Sequence, residues 1–207
     1  MNRKELIDAI IDKEWIMFQA VNEGGPRASC QNNRPTFVGM RSGQYGAWSD
    51  EILALWYERL CEAENAGRNL IREKYIHMMK AVSPIEYAML LKTIPAPTPE
   101  EEQTAREICA LMIRQTVPLH ERYPNVSGAG RPLYSTEDKG GVTSIETYQL
   151  GELLTYGKPM LDALLAYANK LEEEGRSLAE EVLFHTVKYY GYADLDAAEA
   201  ATGKRKA

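Results

Sequence analysis

The chain has 207 residues, 44% hydrophobic and 26% charged, a composition that suits a globular protein with one good core or two small ones. With 24 basic against 30 acidic residues the net charge is −6, so a general nucleic-acid binder, which needs a basic face to neutralise phosphates, is not expected. No apolar run approaches the roughly 20 residues that span a bilayer, so no membrane insertion is expected.

A first helix is predicted from about Arg3 to Asn22, with Leu6, Ile10, Met17 and Val21 on one face and Gly24-Gly25-Pro26 as its stop. A polar loop holds Arg27 to Pro35. Thr36 is placed as the cap of a short helix to Ala47, weakened by Gly39, Gly43 and Gly46. Helices follow from Ser49 to Ala66, ended by Gly67, from Asn69 to about Ala81, and from Pro84 to Thr93. The stiff Pro95-Ala96-Pro97-Thr98-Pro99 is the best internal boundary. Beyond it a helix from Pro99 to about Tyr123 is expected to kink near Pro118, and a Gly-rich loop covers Asn125 to Val142. The last helices run from Ser144 to Tyr156, Pro159 to Glu174, Ser177 to Tyr190 and Asp194 to Ala201, with Lys204-Arg205-Lys206 as a frayed end.

Four capping boxes mark helix starts: Ser83 with Glu86, Thr98 with Glu101, Thr143 with Glu146, and Ser177 with Glu180. In each the hydroxyl accepts from an orphan backbone N–H and the glutamate reaches back. No sustained period-two alternation competes with this pattern. The predicted fold class is therefore all-α, one compact domain of about nine helices.

A repeat divides that domain. Gly67-Arg68-Asn69-Leu70 returns as Gly175-Arg176-Ser177-Leu178, Glu73 as Glu181 and His77 as His185, all at an offset of 108. The same offset carries Gly43 to Gly151, Gln44 to Glu152, and Trp48 to Tyr156. An internal duplication is expected, with residues 1–94 and 99–192 as similar halves about a pseudo-two-fold axis and 193–207 as a short helix and tail. The cleft between such halves is the first place to look for function.

The two polar loops carry the candidate site. The first offers Arg27, Cys30 and Gln31, the second Arg131 and Ser135. Arginine forks suit carboxylates and phosphates, and polar loops of this length in a compact domain are often functional. Arg27 and Arg131 are expected as symmetry mates. The competing reading is that these arginines pair with acidic residues and tie the halves together. Gln44 and Glu152, at equivalent positions beside aromatics, suit either a ligand pocket or close helix packing. Cys30 is the only cysteine in a polar loop and is the candidate nucleophile, should Arg27 lower its thiol pKa and a histidine stand near. Cys61 and Cys109 fall in helical runs as packing residues. Tyr45, Tyr148 and Trp15 read as core. The three cysteines have neither metal-finger spacing nor an even count. The pairs Glu73/His77 and Glu181/His185 share helix faces, but first-turn glutamates are explained by the helix dipole, so no metal site is assigned. No Walker or dinucleotide glycine pattern is present, and no cofactor is read from the chain. The N-terminus enters an amphipathic segment rather than a signal peptide, so cytoplasm is the expected compartment.

Glu14-Trp15-Ile16-Met17-Phe18-Gln19-Ala20-Val21-Asn22, the Gly24-Gly25 pair, Ala28-Ser29-Cys30-Gln31, Gly130-Arg131-Pro132 and Thr143-Ser144-Ile145-Glu146-Thr147-Tyr148 together resemble an uncharacterised bacterial family, a domain of unknown function. The resemblance spans nearly the whole chain. It implies a free-standing bacterial protein and brings no activity, so no residue role is carried over. Pro26-Arg27 departs from the arginine expected directly after the glycine pair. Two readings follow. The first is a protein that binds a small anionic molecule between the loops, with enzymatic activity undecided. The second is a non-catalytic helical interaction or scaffold protein. A homo-oligomer is compatible with both.

Overall fold

The computed structural model describes residues 1–22, 28–128, 130–140 and 142–206, with side chains as far as residue 204. Among them are ten α-helices: α1 (Arg3–Gln19), α2 (Arg34–Gly46), α3 (Asp50–Asn65), α4 (Leu70–Met78), α5 (Pro84–Leu90), α6 (Pro99–Arg122), α7 (Ile145–Leu153), α8 (Lys158–Glu173), α9 (Leu178–Tyr189) and α10 (Leu195–Lys206). The described residues hold no strand, only an isolated bridge between Lys139 and Val142. Every helix placed from the sequence is present.

The ends are set by local chemistry. Thr98 and Glu101 close a reciprocal box, with Thr98 Oγ1 accepting from Glu101 N at 3.2 Å and Glu101 accepting from Thr98 N at 2.7 Å. Ser177 accepts from Glu180 N at 3.2 Å. Ser83 makes no side-chain cap. At α7 the cap is Ser144, not Thr143: its hydroxyl accepts from Thr147 N at 3.1 Å, and Glu146 instead holds Ser135 N at 2.6 Å. Thr36 does not cap α2 either. Asn33 accepts from Thr36 N, and Pro35 sits in the first turn, where its missing N–H costs nothing. A box between Asn2 and Glu5 opens α1. Gly67 and Gly175 end α3 and α8 in the left-handed conformation, at φ 67° and 71°, where a side chain would be strained. Lys204-Arg205-Lys206 continue α10 rather than fraying.

Packing crosses between the halves. α2 lies along α9, and α4 lies along α7. Within the halves α1 packs on α3 and α6 on α8, while α3 meets α8 in the middle. The close approach of α2 to α9 depends on Gly43, where a Cβ would come 1.9 Å from Thr186 Oγ1. Gly151 does the same for α7 on α4, where a Cβ would meet Met78 Cγ at 2.7 Å and Lys74 O at 3.0 Å. Arg3 ties the start of α1 to the α2–α3 corner, donating to Gly46 O at 3.1 Å and Trp48 O at 2.7 Å and pairing with Asp50. It thereby satisfies carbonyls left open at a helix C-terminus. One large core centres on Ile10, Tyr45, Leu53, Trp56, Ile108 and Leu161. A smaller one, around Leu119, Val187 and Leu195, lies under the C-terminal helices.

Candidate functional site

The crossed helices leave a cavity of about 530 Å³ between the halves. Its walls are largely apolar, with Phe18, Phe37, Met40, Trp48, Met112 and Leu164 among them. Its floor is charged. On α2, Arg41 and Gln44 are three residues apart, and on α7 Tyr148 and Glu152 are four apart, so each pair shares one face of its helix. α4 contributes Lys74 from the inward face that carries Ile71.

These side chains form one buried network. Arg41 Nε lies 2.9 Å from Glu14 Oε2, an ion pair rather than an aligned hydrogen bond. Arg41 Nη1 donates to Glu152 Oε1 at 2.8 Å. Glu152 also accepts from Gln44 at 2.7 Å, from the Tyr156 hydroxyl at 2.9 Å, and from Lys74 Nζ. The Lys74 ammonium stands 3.4 Å from the Tyr148 ring centroid, and the Arg131 guanidinium carbon is 5.0 Å from the same ring. Glu14, Arg41, Lys74 and Glu152 are respectively 0%, 6%, 1% and 6% exposed. Charges so deep persist only when paired.

Burial alone raises a carboxyl pKa. For Glu14 it dominates, against the pull of Arg41, and the pKa stays above the usual range. For Glu152 burial is outweighed by Arg41, Lys74 and its hydrogen bonds, and the carboxyl is held well below the usual range. The Arg41 guanidinium would be lowered by burial but is raised by Glu14 and Glu152. The Tyr148 phenol is lowered, first by the Lys74 charge and also by Arg41, against burial.

Cys30, Arg131, Gln44 and Glu152, all marked as site candidates from the sequence, line this cavity together. Arg27 lies outside the described residues. Gln31 is not a lining residue: its amide donates to Phe18 O at 2.7 Å and Val21 O at 3.0 Å and accepts from Ala28 N at 3.1 Å, fixing the loop to the end of α1. Ser135 sits elsewhere, in a second cavity of about 330 Å³ with His77, Glu102 and Arg106. No histidine is among the described residues lining the larger cavity, so Cys30 enters it without the imidazole that a cysteine nucleophile was expected to need. Cys109 is buried, with its thiol pushed up to about 12 by burial. Glu73 and Glu181 pair with Arg68 and Arg176. Tyr45 and the partly buried Trp15 pack in the core as expected, whereas Tyr148 faces the cavity.

Sequence reading missed Glu14, Arg41, Lys74 and Tyr148. For Glu14 a signal existed: it falls between Ile10 and Met17 on the inward stripe of α1, where an apolar residue would be expected.

Fold and site thus define an all-helical protein with an internal, charge-bearing cavity. A family model described as "Protein of unknown function (DUF4125)" matches residues 4–200, and the chain belongs to that family. No curated protein and no solved structure matches the chain. No helix among the described residues is long and apolar enough to cross a membrane.

Proposed function

We propose that the protein binds a small anionic molecule in the cavity between its halves. The observation that carries this reading is charge. Arg41, Lys74 and Arg131 face the cavity, while the network supplies two carboxylates, Glu14 and Glu152. Among the described residues, Glu14 and Glu152 balance the buried Arg41 and Lys74, which leaves the exposed Arg131 as the cavity-lining cation without a carboxylate partner. A cavity of this volume, apolar with a few convergent polar groups, has the general form of a small-molecule site.

The reading includes an internal duplication. In support, Gln44 and Glu152 are 108 apart and bonded to each other, and Trp48 and Tyr156, at the same offset, have ring centroids 5.9 Å apart. Residues on a two-fold axis meet their own mates in this way. The Gly43–Thr186 and Gly151–Met78 approaches repeat with the halves exchanged. The protein is placed in the cytoplasm, where the free Cys30 thiol stays reduced. The alternative, a helical interaction protein, draws on α5, where Ile85 and Met89 are exposed.

The test is a thermal-melt screen against a metabolite library. A ligand at a hundred times its Kd adds about 2.7 kcal/mol of stability. Anionic compounds should raise the Tm of the protein and not that of a Met112→Trp variant, whose cavity is filled. A screen without anionic hits, or hits that stabilise the filled variant equally, would overturn the reading.

A further inference from the structure

The cavity is chemically lopsided. One lobe is bounded by α1, α2 and α4, with α1 packed on the other two, and the other by α6, α7 and α9, with α6 packed on the other two. At the 108 offset Arg41 faces Gln149 and Lys74 faces Val182. The cations of the first lobe, Arg41 and Lys74, thus have uncharged counterparts in the second. The second lobe is completed by Leu178 and Ile145. α7 also brings Tyr148, Gln149 and Glu152 to the cavity, and Glu152 pairs with Arg41 and Lys74 of the first lobe.

From this lopsidedness we infer that the ligand is an amphipathic monocarboxylate, its head toward Arg41, Lys74 and Arg131 and its apolar body against Met112, Val182 and Leu178. The inference rests on the anion-binding reading above and adds the ligand's class and its direction in the cavity. Three features support it. Arg131, the lining cation that the network's two carboxylates leave unbalanced, matches a single negative charge. Arg131 is exposed and its Nη1 donates only to Thr143 O, at 2.9 Å, so the rest of its fork is open to a carboxylate at the cavity mouth. The apolar lobe offers a longer molecule burial that a small polar anion would not use.

Calorimetric titration with decanoate, decanol and decylammonium separates head from tail. Decanoate should bind about tenfold or more tightly than decanol, a difference of about 1.4 kcal/mol, and decylammonium should bind weakest. Arg131→Gln, at the surface, should remove most of the decanoate advantage and leave decanol unchanged. Met112→Trp, filling the tail lobe, should weaken decanoate and decanol alike. Circular dichroism melts confirm that both variants fold. Equal binding of decanoate and decanol, both lost in Met112→Trp, overturns the carboxylate head and leaves an apolar cavity. No decyl compound binding, while small anions from the metabolite screen stabilise the protein, overturns the amphipathic class alone. Decanoate binding that Met112→Trp does not change overturns the placement of the tail.

Discussion

Replacing Glu152 by Gln should be among the most damaging single changes in this protein. Its carboxylate accepts from Arg41, Gln44, Tyr156 and Lys74 at once. A glutamine oxygen cannot serve four donors, and its NH2 would face donors already aimed at that spot. Arg41 and Lys74, both almost fully buried, would be left with Glu14 as their only counter-charge in the network. Removing one partner of a buried ion pair costs about 3–5 kcal/mol. For a chain of this size each kcal/mol moves the Tm by about 2–4 °C, so a fall of about 6–20 °C is expected. Urea and thermal unfolding followed by circular dichroism would measure it. Adding Lys74→Met to the variant removes one stranded cation and should recover part of the loss. The pH dependence has a definite sign. Because the Glu152 carboxyl is held low in the fold, its contribution is present above the unfolded glutamate value of about 4.3 and is lost as pH falls. The gap between wild type and Glu152→Gln should therefore narrow in acid. A single-variant cost under about 1 kcal/mol, or a double variant less stable than the single, would refute the buried network as drawn.

Gly43→Ala should lower the urea midpoint, since the new Cβ meets Thr186 at 1.9 Å and overpacking of about 1–3 kcal/mol exceeds the gain of about 1 kcal/mol in helix propensity; a raised midpoint would contradict the α2–α9 contact. In an absorbance titration of phenolate, the component absent from Tyr148→Phe should have its midpoint below the ordinary tyrosine value of about 10. Lys74→Met should return it upward, because the Lys74 charge is the main cause of the shift. With its folded value depressed, Tyr148 ionisation adds stability as pH rises from that midpoint toward about 10, an increment that Tyr148→Phe should lack. Iodoacetamide should label exposed Cys30 before Cys61 and buried Cys109, and decanoate in the cavity should slow only the Cys30 reaction; unchanged labelling with ligand bound would remove Cys30 from the cavity wall.

Helix starts were legible because a cap is a conversation between residues three apart: Ser49, Asn69, Thr98 and Ser177 each hold the backbone N–H that their spacing predicts. Where two hydroxyls compete, as at Thr143-Ser144, spacing alone chose the wrong one. The charged network was illegible for the opposite reason. Glu152 is 111 residues from Arg41 and 78 from Lys74, and a lone Lys or Glu in a helix is far more often solvated than buried. The repeat bridged part of that distance. It singled out Gln44 and Glu152 by position, without any knowledge of contact, and they meet in the middle of the fold. The same register explains what matching could not find. A search for likeness passes over Arg41 against Gln149 and Lys74 against Val182 because they differ. Under the duplication reading those differences mark the chemistry. A symmetric ancestor would have carried two like lobes, and the cations Arg41 and Lys74 kept on one side, against Gln149 and Val182 on the other, distinguish head from tail. If that is so, Val182→Lys, which restores the symmetry of α4 and α9, should weaken decanoate by intruding on its tail while creating a second cationic lobe. A variant that binds a dicarboxylate such as sebacate better than decanoate would be the direct chemical signature of that symmetry; one that still prefers decanoate would deny it.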